Sequence, residues 1–119
     1  MTSQNTGVKA EQLALAYLQQ QGLTIVDKNY HSRRGEIDLI MVDDSTLVFV
    51  EVRYRKSEKY GSALESVNYL KQTRIIQTAQ AYLQTNRVHY AEYRFDVIAI
   101  SPCKETSGII WLKDAFQIS

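Results

Sequence analysis

Cysteine is almost missing from this sequence. Cys103 stands alone among 119 residues, so no internal disulfide can form. A reducing compartment, the cytoplasm, is the natural expectation. With one cysteine and two histidines, no zinc-type Cys/His spacing arises. The five glycines form no Gly-rich phosphate loop, and neither a Ser-His-Asp set nor an internal repeat is present. No apolar run reaches membrane-spanning length. The opening Met-Thr-Ser-Gln-Asn-Thr lacks the basic start and apolar stretch of a signal peptide. Neither sign of charge dominates: the net charge is +1, so total charge nominates no polyanionic partner.

What remains is an ordinary globular composition, with 45% hydrophobic and 23% charged residues, in a length that suits one domain with one modest core. Local charge is more informative. Nine of the fourteen Lys and Arg residues fall between Lys28 and Arg74, together with seven acids. A basic rim around an acidic centre has this pattern, and so does a solvated surface. Residues 1–6 are polar and read as a frayed end. Ala10, Leu13, Ala14, Tyr17 and Leu18 mark a helix from Thr6 to Gln21, capped by Thr6 or Asn5 and stopped by Gly22. Leu23 to Val26 reads as a short strand, continuing irregularly to Tyr30. His31 to Gly35 reads as a basic loop with a surface histidine. A second helix spans Glu65 to Gln84, its stripe made by Val67, Leu70, Ile75, Ile76, Ala79, Tyr82 and Leu83. Arg94 to Ile100 is a strongly apolar strand, and Gly108 to Leu112 a last strand at an edge. The order predicts an α/β domain with a mixed central sheet flanked by helices, the second helix crossing between parallel strands.

The central stretch is Gly35 to Arg53. Its two halves, Gly35 to Met41 and Leu47 to Arg53, are apolar and β-branched around an acidic, hydroxylic middle, the pattern of a β-hairpin. Alternation places Ile37, Leu39, Met41, Val48, Val50 and Val52 on one apolar face. The other face carries Glu36, Asp38, Glu51 and Arg53. A loop of two or four residues centred on Asp44-Ser45 sets Asp38 opposite Glu51 and Glu36 opposite Arg53. Opposed like charges are destabilising, so the two acids need a cation, a shared proton or solvent between them. A divalent metal is one answer, since magnesium is commonly held by one or two carboxylates plus water and phosphate. An ordinary ion pair, with Arg55 or Arg33 covering the remaining acids, is the other. Arg33, Arg34, Arg55, Lys56 and Lys71 are the cations placed to meet nucleic acid. The segment from Tyr54 to Ser62 interleaves them with aromatics.

Glu11 and Ala14, Asn29, Gly35-Glu36-Ile37-Asp38-Leu39-Ile40, Phe49-Val50-Glu51-Val52-Arg53, Lys71 and Arg94-Phe95-Asp96-Val97 together resemble the YraN-like family of uncharacterised bacterial proteins. The similarity runs from about Gly7 to Trp111. That resemblance implies a restriction-endonuclease-like fold of the PD-(D/E)xK type, similar to archaeal Holliday-junction resolvases. It implies that Asp38 and Glu51 hold Mg2+ or Mn2+, with the Val52 carbonyl as a further ligand. Arg53 would stand where that pattern has lysine, and Glu11 would match a helix-one glutamate that assists metal binding. Lys71 or Gln72 would stand near the phosphate. It also implies DNA as partner and a homodimer as the assembly.

The expectation is therefore a nuclease-like nucleic-acid-binding protein, a magnesium-dependent endonuclease acting on branched or damaged DNA. Arginine stays protonated and cannot serve as a base where a desolvated lysine can. A non-catalytic DNA- or RNA-binding module and a protein-interaction domain that keep the fold are the competing readings.

Overall fold

The computed structural model describes residues 3–54, 65–86, 89–101 and 108–118. Helix α1 (Ser3–Gln20) leads into strands β1 (Thr24–Ser32), β2 (Gly35–Asp43) and β3 (Thr46–Tyr54), then helix α2 (Tyr69–Asn86), β4 (Glu92–Ile100) and β5 (Ile109–Phe116). The strands form one five-stranded sheet in the order β1-β2-β3-β4-β5. β3 and β4 are parallel, joined through α2, and the other neighbouring pairs are antiparallel. The mixed α/β architecture expected from the sequence is thus present.

Both sheet faces are covered. Ala10, Ala14 and Leu18 of α1 pack on Leu39, Met41, Val48, Val50, Ile98 and Ile100. Val67, Ile75, Ala79 and Tyr82 pack on Ile37, Ile40, Leu47, Phe49, Phe95, Val97 and Phe116 on the other side. The division of the hairpin into one core face and one charged face is corrected accordingly. Ile40, Leu47 and Phe49, on the charged face by alternation, lie under α2, and only the end near Asp38 and Glu51 stays open. Ile37 also belongs to the α2 side, at odd spacing from Ile40. Between the pairs Lys28↔Leu39 and Tyr30↔Ile37, Asn29 adopts φ 51°, a left-handed conformation that asparagine tolerates. That position lies across from Asp38, while the register itself shifts nearer the start of β1, between Ile25 and Asp27.

Local chemistry sets the ends of the elements. α1 starts ahead of the expected Thr6 or Asn5 cap, at Ser3, itself a residue type favoured at helix starts. It stops where expected. Gly22, at φ 101°, allows its own N–H to reach Gln19 O and the N–H of Leu23 to reach Leu18 O at 3.0 Å. This is a Schellman closure, sealed by the buried Leu18 and Leu23. α2 starts four residues later than expected because Asn68 caps it: its side-chain oxygen accepts the Lys71 N–H at 2.9 Å. Two residues of the expected helical stripes are exposed, Leu13 at 52% and Leu70 at 58%. Leu13 lies at the margin of a stripe already filled by Ala10, Ala14 and Leu18. β1 runs on through His31 and Ser32, so the basic loop shrinks to Arg33-Arg34. β5 extends to Phe116 and lies at a sheet edge as expected. Trp111 there meets Tyr17 edge-on at 6.1 Å between centroids.

Candidate functional site

The site begins with the hairpin turn. Asp43 pairs with Thr46, leaving Asp44-Ser45 as a two-residue turn, with Asp44 at φ 56°. The register Ile40↔Phe49, Leu39↔Val50 follows, and one further step sets Asp38 across from Glu51. There the backbone ladder of this strand pair ends. The Val52 N–H donates to Oδ2 of Asp38 at 2.8 Å, so a side chain takes the place of the backbone partner. Asp38 is 9% exposed and Glu51 5%. Burial pushes the Asp38 carboxyl up to about 8, and the neighbouring Glu51 and the more distant Glu11 add to the rise. The Val52 N–H opposes it.

Glu51 is also the meeting point of two cations. Its Oε2 lies 3.1 Å from Lys71 Nζ and 3.6 Å from Arg53 Nη1. Arg53 is further oriented by its Nε–H donating to Ser66 Oγ at 3.3 Å. The expected Glu36–Arg53 pair is absent among the described residues. Because β2 and β3 stop pairing after Leu39↔Val50, Glu36 pairs across β1 with His31, Nε2 to Oε2 at 3.4 Å. His31 is exposed, as expected of a surface residue. The site opens into a depression of about 510 Å³ walled by Gly35, Glu36, Asp38, Glu51, Val52, Arg53, Asn68, Leu70, Lys71, Arg74 and Ile75.

The expected residues thus divide. Asp38, Glu51, Arg53 and Lys71 converge. Glu11, half-buried on α1, reaches the site only through its field on Asp38 and does not line the depression. Arg33 and Arg34 line a second depression beside the first. Gln72 turns away, its side chain donating to Val67 O at 2.9 Å. Arg55 and Lys56 lie outside the described residues. Arg74, three residues from Lys71 on α2 and expected either to reach a ligand over the hairpin or to be solvated, lines the depression. Ser66 is an addition for which the sequence gives no signal.

The donor set suits a hard cation. Among the described residues no cluster of three His, Cys, Asp or Glu side chains gathers to hold a metal. Two converging carboxylates at an open rim nevertheless match magnesium, which retains water and takes up substrate oxygens.

A third buried acid, Asp96, is fully enclosed and lies elsewhere. It accepts from Arg94 Nε at 3.0 Å, from Trp111 Nε1 at 2.9 Å and from the Asp114 N–H at 2.9 Å. Arg94 also meets Asp43 at 3.0 Å. The motif Arg94-Phe95-Asp96-Val97 therefore ties β4 to β5 and to the hairpin turn.

A five-stranded mixed sheet between two helices, with paired acids at the rim of the central strands, fits the restriction-endonuclease-like class. The chain belongs to the uncharacterised protein family UPF0102, whose sequence model matches residues 10–100. It is similar to a UPF0102 protein of Nitrosococcus oceani, 48% identical over 98% of this chain and 95% of that protein. A relative from Psychromonas ingrahamii is 50% identical over 97% and 92% of the two chains. One from Nitrosomonas europaea is 49% identical over 97% and 96%. No helix among the described residues is long and apolar enough to cross a membrane.

Proposed function

We propose that this protein is a nuclease-like nucleic-acid-binding protein, a magnesium-dependent endonuclease that hydrolyses phosphodiesters in branched or damaged DNA. The supporting observation is the convergence of Asp38 and Glu51 on one open rim, flanked by Lys71 and Arg53. In this reading Asp38 and Glu51 hold the metal. A bound Mg2+ supplies Lewis-acid stabilisation of the charge developing on the phosphate and lowers the pKa of the attacking water. The Val52 N–H fixes the rotamer of Asp38, so that carboxylate is positioned before substrate arrives. Lys71 carries its ammonium on a flexible stem and is 40% exposed, so it can pass from Glu51 to a non-bridging phosphate oxygen. Arg53, held by Ser66, adds fixed positive charge and transfers no proton. The cation that the superfamily pattern places beside the second acid is thus shared here between the strand and α2.

Incubation with junction, flap, duplex and single-stranded DNA in Mg2+ or Mn2+ tests the proposal. Cleavage by the native protein that is lost in Asp38→Asn and Glu51→Gln supports it. No metal-dependent cleavage of any of these substrates removes the enzyme claim. One contact favours the non-catalytic reading. Lys71, 3.1 Å from Glu51, already neutralises one acid. If nucleic-acid binding survives Asp38→Ala and Glu51→Ala without cleavage in the native protein, that reading holds.

A further inference from the structure

A second depression, of about 540 Å³, adjoins the first and shares Gly35, Glu36 and Arg74 with it. Its lining is more basic, for the first depression balances Glu36, Asp38 and Glu51 with Arg53, Lys71 and Arg74. Arg33 and Arg34 of the β1–β2 turn and Arg74 of α2 surround it, and none of the three pairs with a carboxylate among the described residues. The one acid on its rim, Glu36, is engaged by His31. The turn is pinned to the helix. Ser32 Oγ accepts the Arg34 N–H at 3.0 Å and donates to Thr78 Oγ1 at 3.5 Å, and Thr78 Oγ1 donates to Arg74 O at 2.7 Å. Gly35 gives the turn a backbone at φ 154°, which L side chains rarely adopt. A Cβ there would stand 3.4 Å from Thr78 Oγ1 and 3.6 Å from Arg74 Cβ. The two turn arginines are therefore carried on a backbone fixed relative to Arg74, which reduces the ordering cost of binding.

We infer that this depression is a second phosphate subsite, which takes the backbone phosphate next to the one at Asp38 and Glu51. The inference rests on the proposed function and extends it: the protein grips at least two successive phosphates of one strand. Guanidinium groups suit the task because their planar fork matches phosphate oxygens two at a time. A ligand with one phosphate fills only one depression. A polynucleotide strand, with a charge at every nucleotide, spans both across the shared wall of Gly35 and Arg74.

The test is binding of a labelled single-stranded and a labelled duplex oligodeoxynucleotide, with metal chelated, across a salt series. Each phosphate contact contributes about 0.7 (single strand) to 0.9 (duplex) to the slope of log K against log salt. Arg33→Gln/Arg34→Gln and, separately, Arg74→Gln are expected to flatten the slope by about one contact each and to weaken binding several-fold at low salt. Lys113→Gln, exposed on the distant β5 strand, is expected to leave it unchanged. Native binding whose slope is the same in the arginine variants overturns the subsite and leaves the proposed function standing. An equal loss from Lys113→Gln also overturns it, since the charge would then act diffusely. Absence of any salt-dependent binding by the native protein overturns both. All three arginines lie on the surface, and unchanged melting temperatures tie the result to binding.

Discussion

The Oδ2 of Asp38 accepts the backbone N–H of Val52 at 2.8 Å. A side chain of β2 thereby replaces a ladder partner for β3 at the point where the two strands part. Two consequences follow from that contact. The Asp38 carboxyl is locked facing Glu51, and Glu36 is released to β1 and His31. The acidic pair therefore depends on a defect in the sheet, placed where β2 and β3 stop pairing at the mouth of the depression.

Stability is expected to fall with rising pH across the range set by Asp38. Its carboxyl is raised from 3.8 to about 8 in the folded protein, chiefly by burial. Between those values the folded state binds more proton than the unfolded state. This contribution is fully present below about pH 4 and is lost as pH rises through about 8. The slope for one proton is at most about 1.4 kcal/mol per pH unit. Asp38→Asn keeps the acceptor for Val52 and cannot ionise, so its melting temperature relative to the native protein should rise from pH 5.5 to pH 8. A difference that stays constant, or shrinks, would show that Asp38 titrates normally.

Divalent metal should raise the melting temperature of the native protein, and more strongly at pH 8 than at pH 6, because Asp38, raised to about 8, must give up its proton to bind it. At a metal concentration a hundredfold above the dissociation constant, the stabilisation is about 2.7 kcal/mol, a shift of several degrees. Asp38→Asn and Glu51→Gln should abolish it. Lys71→Met is expected to increase the shift, since the ammonium 3.1 Å from Glu51 competes with the metal, while nucleic-acid binding falls. A Lys71→Met protein with a smaller metal shift than the native one would mean that the lysine supports the metal site.

Gly35→Ala examines the backbone conformation of the β1–β2 turn beside α2. The new methyl would stand in ordinary contact with Thr78 Oγ1, at 3.4 Å, but on a backbone at φ 154° that L side chains rarely adopt, so the substitution strains the turn. The expected cost is about 1–2 kcal/mol, read as a lower urea midpoint with the slope of the transition unchanged. A midpoint equal to that of the native protein would show that the turn yields freely.

The hairpin was legible because its turn is short and acidic. Once Asp44-Ser45 is placed, period-two alternation brings Asp38 opposite Glu51. The helical stripes through Ala10, Ala14 and Leu18 and through Ile75, Ala79 and Tyr82 were legible for the same local reason. Glu36 was assigned to Arg53 on the premise that the ladder continues, and a side-chain substitution that ends a ladder has no periodic signature. Lys71 was recognisable as a cation on a helix face, but its contact with Glu51 depends on how α2 seats on the sheet. That seating in turn depends on Asn68 as a cap. The burial of both hairpin faces was hidden for a related reason: Ile40, Leu47 and Phe49 share a face with the charged residues, and only α2 separates the dry part of that face from the wet part.

Asp96 presents the opposite case, an acid in a motif whose contacts are structural. Fully buried, it serves two donors of Arg94, the indole of Trp111 and the Asp114 N–H, which comes from a residue at φ 52°. Asparagine has one acceptor oxygen and would turn an N–H2 towards at least one of these donors. It would also leave Arg94 with Asp43 as its remaining anion among the described residues. Removing one partner of a buried charge pair costs about 3–5 kcal/mol, so Asp96→Asn should lower the urea midpoint sharply. Its nucleic-acid affinity per folded molecule should stay native, because none of these contacts reaches the depression at Asp38. A variant as stable as the native protein but unable to bind or cleave DNA would move Asp96 out of the framework and into the site.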